Sequence, residues 1–255
     1  MATAPQEVCV TDNLMHFLEL SETDKRLLAT LEQTPQPVAK GQQLWKASER
    51  PDTLYTLRRG WAYSMHRSES GEEQVLDIFL PGDLMGIREL TFPAHSTDVV
   101  MLTSGVVCPF PAERLLDIYQ RSPSLTLAIH AAAARQQVII SKRLVNILRH
   151  DARAKIAHFV LELYYRLKRV DESVHRNFAV PLLQSDFGKL LGMTKVHVSR
   201  TLSEMENQGL LRKTRKDIQI LDLDRLLEIS AFDPMKLTDQ LNPTLTAALP
   251  SPGPS

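Results

Sequence analysis

Residues 182–209 read LLQSDFGKLLGMTKVHVSRTLSEMENQG, and the stretch divides at Gly192 into two short helical segments. In the first, Phe187, Leu190 and Leu191 recur at i, i+3 and i+4, an apolar stripe on one helical face. Ser185 or Gln184 can cap its start, with Asp186 favourable in the first turn. Gly192 follows the last apolar pair, where a left-handed residue ends a helix. Thr194 is the N-cap candidate of the second segment, in which Val198, Leu202 and Met205 fall at i, i+4 and i+7 and face inward. Gly209 is its stop. Lys195, Val196, Ser199 and Arg200 then lie on the outer side, where a recognition helix meets base edges and phosphates. Thr194 and His197 fit phosphate contact, with a groove contact open for His197. The same periodicity also serves an αα-hairpin with solvated charges in any helical domain, so its neighbours have to decide.

Directly downstream comes LRKTRKDIQILDLDRLLEIS. Ile218, Ile220 and Leu221 are strand-like, and Arg212, Lys213, Arg215 and Lys216 cluster at the preceding turn. That is a β-hairpin wing with cations for phosphate, Lys213 and Arg215 among them. Leu223, Leu226 and Leu227 open a last short helix. Upstream, Asp151 starts a helix whose Ile156, Phe159, Val160, Leu163, Tyr164 and Leu167 form an apolar face to support the two reading helices. A winged helix-turn-helix at 150–230 accounts for all of these features.

The 255 residues suffice for about two domains with cores of their own. Net charge is zero, but it is unevenly spread. Residues 1–120 carry ten Lys/Arg and seventeen Asp/Glu; residues 121–150 carry five and none; residues 151–230 carry fourteen and eleven. An acidic half joined to a basic one suits a sensor coupled to a nucleic-acid binder. Two cysteines, Cys9 and Cys108, make neither a disulfide framework nor a thiolate metal site. No leader-like segment opens the chain and no apolar run approaches the length of a membrane span. The expectation is a cytoplasmic protein without a membrane partner. No phosphate loop, nucleophile elbow, HExxH or paired metal motif points to an enzyme, so neither catalytic nor metal residues are assigned.

From Pro35 to Phe110 short apolar runs alternate with turn residues at Gly41, Pro51, Gly60, Ser70-Gly71, Pro81-Gly82 and Gly105. This predicts an antiparallel sandwich or barrel of short strands. A long helix follows over 123–149. Ala131, Val138 and Val145 are seven apart, as are Ala132 and Ile139, a stripe that favours a two-stranded coiled coil over packing on the chain's own domain. The helix holds no acids for Arg135, Lys142 and Arg143, so their partners lie elsewhere. The fold class is therefore α+β: a sensor domain at 20–122, a dimerisation helix at 123–149 and the winged helix-turn-helix at 150–230. Residues 231–255, rich in Pro, Thr and Ser, are expected to be a disordered tail, and residues 1–12 to fray.

This order, together with Gly60 in LRRGWAY, Gly71 in SESGEEQ, LPGDLMG at 80–86 and LLGMTKVHVSRTLSEMENQGLL at 190–211, resembles the cyclic-AMP receptor protein/FNR family of bacterial transcription regulators. The resemblance spans about residues 20–230. It implies a cyclic-nucleotide-binding-like jelly-roll (β-roll) sensor and a homodimer that reads a twofold-symmetric operator in double-stranded DNA. It also implies RNA polymerase as a partner where the regulator activates. Arg200 matches the family's guanine-reading arginine, whose fork is bidentate, and Ser199 matches the serine of the FNR branch. Both main branches usually carry Glu where this chain has Val196. A carboxylate accepts from cytosine N4 and valine does not, so the half-site is expected to differ there.

In the sensor the resemblance implies an effector pocket around Gly86, Ile87, Arg88, Ser96, Thr97, Ile140 and Ser141. Cyclic-AMP-binding members place Glu directly after the Gly of PGDxxG; here Ile87 follows Gly86, and Glu89 comes two residues late and is expected to point elsewhere. Where an Arg-Ser or Arg-Thr pair holds the phosphate stands His95-Ser96-Thr97-Asp98, with no Arg and an acid to repel it. Only Ser141 retains a polar adenine contact. Ordinary cyclic AMP binding is not expected. An iron–sulfur cluster needs more thiolates than Cys9 supplies. His66, His95, His130 and Cys108 are isolated and do not suggest haem. No cofactor is predicted, and the effector, where one exists, is an unidentified small molecule. The competing reading is a ligand-binding or protein-interaction module of the same fold that has lost specific DNA binding; the basic wing and Arg200 argue against it.

Overall fold

The computed structural model describes residues 7–237 and 239–249. In chain order they form α1 (Val10–Leu14), α2 (Glu22–Ala29), β1 (Gln36–Val38), β2 (Gln43–Trp45), β3 (Thr53–Arg59), β4 (Ala62–Arg67), β5 (Glu73–Phe79), β6 (Leu84–Met85), β7 (Asp98–Met101) and β8 (Gly105–Pro111). Then come α3 (Glu113–Arg121), α4 (Pro123–Arg149), α5 (Ala152–Val170), β9 (Asn177–Ala179), α6 (Gln184–Leu191), α7 (Lys195–Asn207), β10 (Leu211–Lys213), β11 (Asp217–Ile220), α8 (Leu223–Ser230) and α9 (Pro243–Ala247). The mixed α/β architecture expected from the sequence is present.

Two compact units emerge. One comprises the described parts of Met1–Ser64, Ile78–Gln136 and Asp239–Ser255; the other comprises Met65–Asp77 and Gln137–Thr238. The strands form two four-stranded sheets, ordered β1-β8-β3-β6 and β2-β7-β4-β5, and all of them but the Met65–Asp77 part of β4 and β5 belong to the first unit. Val38, Leu57, Met85 and Val107 from one sheet meet Trp45, Ala62, Phe79, Val99 and Met101 from the other in a shared core. A second core packs α1, α2, α3 and the start of α4 against Leu54, Leu84 and Phe110.

Two expectations about chain ends need correction. Residues 7–12 do not fray: Val8 and Val10 are buried, and the Val8 N–H donates to the Arg58 carbonyl at 2.9 Å. Nor is the described part of the tail unstructured. Phe232 stacks on Tyr165 and sets its edge against His158, and Leu237 is buried. Asp239 pairs with Arg135 at 3.3 Å, and Asn242 caps α9. Two apolar anchors among Pro and Thr make no periodic stripe, so sequence patterning passes over them. Residues 1–6 and 250–255 lie outside the described residues.

The second unit is organised around α5. Asp151 caps it by accepting from the Ala154 N–H at 2.9 Å. Its Ile156, Phe159, Val160 and Leu163 are wholly buried, and Phe159 meets Phe187 of α6 edge to face. Beside them lies a buried charge cluster. Arg143 of α4 donates to both Glu162 carboxylate oxygens, at 3.0 and 2.5 Å, and to the Leu76 carbonyl at 2.8 Å. Asp77 stands 3.7 Å from Arg143, and Arg166 donates to Glu162 at 3.4 Å. Burial alone would raise the Glu162 carboxyl, but the two guanidinium groups hold it below its ordinary value. Arg143 thus finds its acid on α5 and at the end of a hairpin, not inside its own helix.

The stripe on α4 also divides. Val138 and Val145 are 42% and 53% exposed, and Leu148 is 73% exposed. Ile139, expected on a parallel stripe, is buried, and Ala132 packs on the helical core of the first unit. The Val138–Val145 row is exposed, as is Leu144 beside it.

Candidate nucleic-acid interface and effector cavity

The interface is built by α6, α7 and the wing. Helix α6 begins one residue earlier than a Gln184 cap and two residues earlier than a Ser185 cap would allow. Leu183 is the N-cap, and the Asp186 carboxylate accepts its N–H at 2.7 Å. Gly192, at φ +65°, closes the helix through its N–H to the Gly188 carbonyl. Gly188 is the residue that sequence patterning missed. A Cβ there would lie 2.5 Å from the Met193 carbonyl oxygen, so only glycine lets the turn fold back this tightly. Its signal was present in DFGKLLG, but a lone helical glycine reads first as a weak point.

Thr194 caps α7, its hydroxyl oxygen accepting from the His197 N–H at 3.2 Å. Val198, Leu202 and Met205 are buried, as the spacing predicts. Thr194, Lys195, Val196 and Arg200 are exposed, and His197 and Ser199 half-buried. Val196 is 78% exposed, an apolar side chain with no role in the fold. Arg200 lies 3.9 Å from Glu204, with both side chains largely in solvent, a pairing worth little.

The wing is a three-stranded sheet ordered β10-β11-β9, with Ile218 opposite both Lys213 and Phe178. Strand β9 was not foreseen; three residues in SVHRNFAV are too short for alternation to register. The four wing cations behave differently. Arg212 pairs with Glu206 at 2.6 Å. Lys213 turns inward, donating to the Val180 and Thr214 carbonyls at 3.3 and 2.5 Å, and burial lowers its pKa. Arg215 and Lys216 are exposed. A cleft of about 350 Å³ runs between the start of α6, the start of α7 and the wing, lined by Gln184, Ser185, Lys195, Lys213 and Arg215 among others. Cations beside free helix-start amides are what a phosphate needs.

The expected effector pocket is only partly assembled. Gly86, Ile87, Arg88 and Thr97 line one small cavity in the first unit, together with Trp45, Phe79, Glu89 and Gln136. Ser96 does not: it is exposed and donates, through both N–H and hydroxyl, to Glu89. Ile140 and Ser141 are also absent from it. The helix contributes Gln136 instead, one turn earlier, and Ser141 lines a different cavity in the second unit. Glu89 lines the pocket rather than pointing elsewhere, but it is engaged by His95 Nδ1 at 2.7 Å and by Ser96.

What closes the cavity is a plug of aromatic rings. Trp45 stacks on His95 at 4.6 Å and on Tyr55 at 5.8 Å. The loop after β2 is zipped to the His95 segment by Ser48 N–H to the His95 carbonyl and His95 N–H to the Glu49 carbonyl, both 2.8 Å. Asp98 adds a bond from the Ala47 N–H at 2.8 Å. The remaining volume is about 10 Å³, near the minimum for a single water and far below the roughly 300 Å³ of a small-molecule site. Trp45 Nε1 and Gln136 Nε2 are buried there with no hydrogen-bond partner among the described residues. Trp45 was legible only as a strand residue, since nothing in GQQLW marks a ring turned into a pocket.

Comparison with known proteins matches both halves. The profile of the cyclic nucleotide-binding domain covers residues 35–122, and that of the Crp-like helix-turn-helix domain covers residues 154–229. The anaerobic regulatory protein of Haemophilus influenzae is 28% identical over 230 residues, 90% of this chain and 89% of that protein. The fumarate and nitrate reduction regulatory protein of Vibrio cholerae is 28% identical over 87% of this chain and 88% of its own length. Among solved structures, FixK2 of Bradyrhizobium japonicum superposes with a TM-score of 0.71 at 23% identity, covering 78% of this chain and 98% of that one.

Proposed function

Since the chain belongs to the Crp/Fnr family of transcription regulators, we propose that it works as a homodimer on a twofold-symmetric operator read by α7. The family makes it a DNA-binding regulator and not an enzyme. The observation that carries the finer reading is the outward row Lys195, Val196, Ser199 and Arg200 beside a cation-lined cleft. Arg200 reads a guanine through its fork and Ser199 a neighbouring base. Thr194, whose oxygen caps α7, still has its hydroxyl proton for a phosphate, as His197 has its ring. Lys195 and Arg215 supply phosphate contacts from the cleft. Lys213, occupied by two carbonyls, contributes its field more than a direct contact.

Dimerisation uses α4. Ala131, Ala134, Val138, Ser141, Val145 and Leu148 follow alternating steps of three and four, the seam of a two-stranded coiled coil. The exposed Val138, Val145 and Leu148 lie on that seam. Two protomers then address half-sites about 34 Å apart.

In the sensor the plugged cavity, Ile87 after Gly86, and the lack of an Arg within His95-Ser96-Thr97-Asp98 argue against cyclic AMP; Arg88 borders the cavity but comes from the PGDLMG side and not from that stretch. The two cysteines of the chain cannot supply four thiolates to an iron–sulfur cluster. Burial raises the Cys9 thiol to about 11, so it stays protonated. The regulator therefore either answers a smaller or different effector or acts without one. No helix among the described residues is long and apolar enough to cross a membrane, and a DNA-bound role places it in the cytoplasm.

Immunoprecipitation of the protein with its DNA tests the main reading. A shared palindrome is expected, departing from the family half-site at the base pair facing Val196. Enrichment with no shared motif would overturn it. Calorimetry with cyclic AMP is expected to give no binding heat; micromolar affinity would overturn the sensor reading.

A further inference from the structure

In the heptad frame of α4, Val138 and Val145 occupy a, Ser141 and Leu148 occupy d, and Gln137 and Leu144 occupy g. These six are the exposed residues between positions 137 and 148. The g flank of the seam is therefore open, and Leu144, 54% exposed, is an apolar side chain that the fold of its own chain leaves in solvent. The opposite flank differs. Lys142 at e is half-buried and Asn146 beyond it is buried. Both border a groove whose far side is the segment that follows α8.

The groove measures about 410 Å³. Val145 lines it from α4, and Ala231, Phe232 and Leu237 line it from the segment. That wall is fixed in place. Ala231 ends α8 at φ +49°, the Phe232 N–H donates to the Ser230 hydroxyl at 3.1 Å, and Phe232 packs on Tyr165 and His158. Met235, between the groove residues Asp233 and Leu237, is 79% exposed. All of this lies beyond the Crp-like helix-turn-helix match, which ends at 229.

Each reading unit follows the C-terminal end of its α4, a helix of 27 residues and about 40 Å. Two such units reach neighbouring half-sites of one duplex only when the helices run parallel, since an antiparallel pair sets them at opposite ends. In a parallel pair the g side of one helix faces the e side of the other, and twofold symmetry makes the contact twice. The open g flank of one chain then meets the walled e flank of its partner. We propose that Leu144 of the partner subunit seats in this groove against the 231–237 wall, which makes the segment after α8 part of the dimer interface. The inference rests on the proposed α4 dimer. It adds to the a/d seam a reciprocal contact between that segment and the other chain, and it gives the exposed Leu144 a burial site.

Sedimentation of the full chain is expected to show a dimer, and Val145→Glu, which charges the seam, a folded monomer. Leu144→Ala is expected to weaken the dimer about tenfold, because it removes apolar burial at two symmetric sites. What Leu144 touches is read by photocrosslinking. With p-benzoylphenylalanine in place of Leu144, isotope-labelled and unlabelled full chains are mixed, irradiated and digested. Mass spectrometry is expected to find position 144 of one chain joined to residues 231–237 of the other, and the same experiment in the Val145→Glu background to find no such pair. A full chain that sediments as a monomer would overturn the dimer and this contact together. A dimer that Val145→Glu dissociates, but whose crosslinks from position 144 reach only α4 or stay within one chain, would overturn the contact and leave the seam standing. So would an unchanged dimer affinity for Leu144→Ala.

Discussion

The recognition helix and the sensor cavity treat their polar side chains in opposite ways. On α7 the outward row is positioned by the helix that carries it: Thr194 caps, Val198, Leu202 and Met205 anchor the inner face, and Lys195 and Arg200 extend into solvent. In the sensor, Glu89, His95, Ser96 and Asp98 are bound to one another or to nearby backbone, and Trp45 occupies the space they surround. A surface that must meet a partner keeps its hydrogen-bonding capacity unspent. A cavity whose groups already satisfy each other offers a ligand only what it can displace.

The largest effect is expected where the reading unit is rooted. Glu162→Leu leaves Arg143 and Arg166, both almost fully buried, without their shared carboxylate. Breaking a buried pair by removing one partner costs about 3–5 kcal/mol. Urea unfolding should show a loss of that order; a loss below about 1 kcal/mol would mean the guanidinium groups find other partners, Asp77 first. Because α5 supports both reading helices, operator binding should fall with it.

Arg200→Ala is expected to leave stability unchanged and to cost about 1–3 kcal/mol in operator affinity, with preference lost at one base pair. Fluorescence anisotropy across operator variants reads both. If the mutant binds every variant as wild type does, α7 does not read through this residue and the contrast with the sensor loses its functional meaning. Val196→Glu sharpens the same face. A carboxylate accepts from cytosine N4, so the preferred half-site should move about tenfold toward cytosine at the base pair facing it, with no change in salt slope, since phosphate contacts are untouched.

The two regions also differ in how far sequence reasoning reached. The helix-turn-helix was legible because its signals are local: an apolar period, Gly192, a capping Thr, a basic cluster. Even there Gly188 and Lys213 escaped, one because its constraint is a carbonyl five residues on, the other because burial of its ammonium depends on Val180 across the sheet. The sensor's β texture was legible from spaced turns, but its cavity was not. Gln136, Trp45 and His95 converge from segments about forty to ninety residues apart, and no spacing rule carries such a meeting. For the same reason Ile140 and Ser141 do not border that cavity: the helix lines it with Gln136, one turn earlier. Phe232 and Leu237 show the limit at the chain end, where two anchors suffice to fold a segment whose composition reads as disordered.

The smallest effect tests whether the sensor network is a real brace. Burial alone would raise the Glu89 carboxyl, but the bonds from His95 and Ser96 overcome it and hold the group below its ordinary 4.5. With the folded value below the unfolded one, the unfolded chain binds more protons in the acid range. The carboxylate's contribution to stability is therefore complete above about pH 4.5 and disappears as pH falls through the folded value. Glu89→Gln removes that contribution at every pH. The gap in unfolding free energy between wild type and mutant should be full at about pH 6 and should close as the solution is acidified. Glu162, also held low, titrates in both proteins and cancels from the difference. A gap that stays constant down to acid pH would mean that the glutamate's charge does not brace the loop. The plug would then rest on the Trp45–His95 stack alone, and Trp45→Ala should open the cavity without any change in the acid limb.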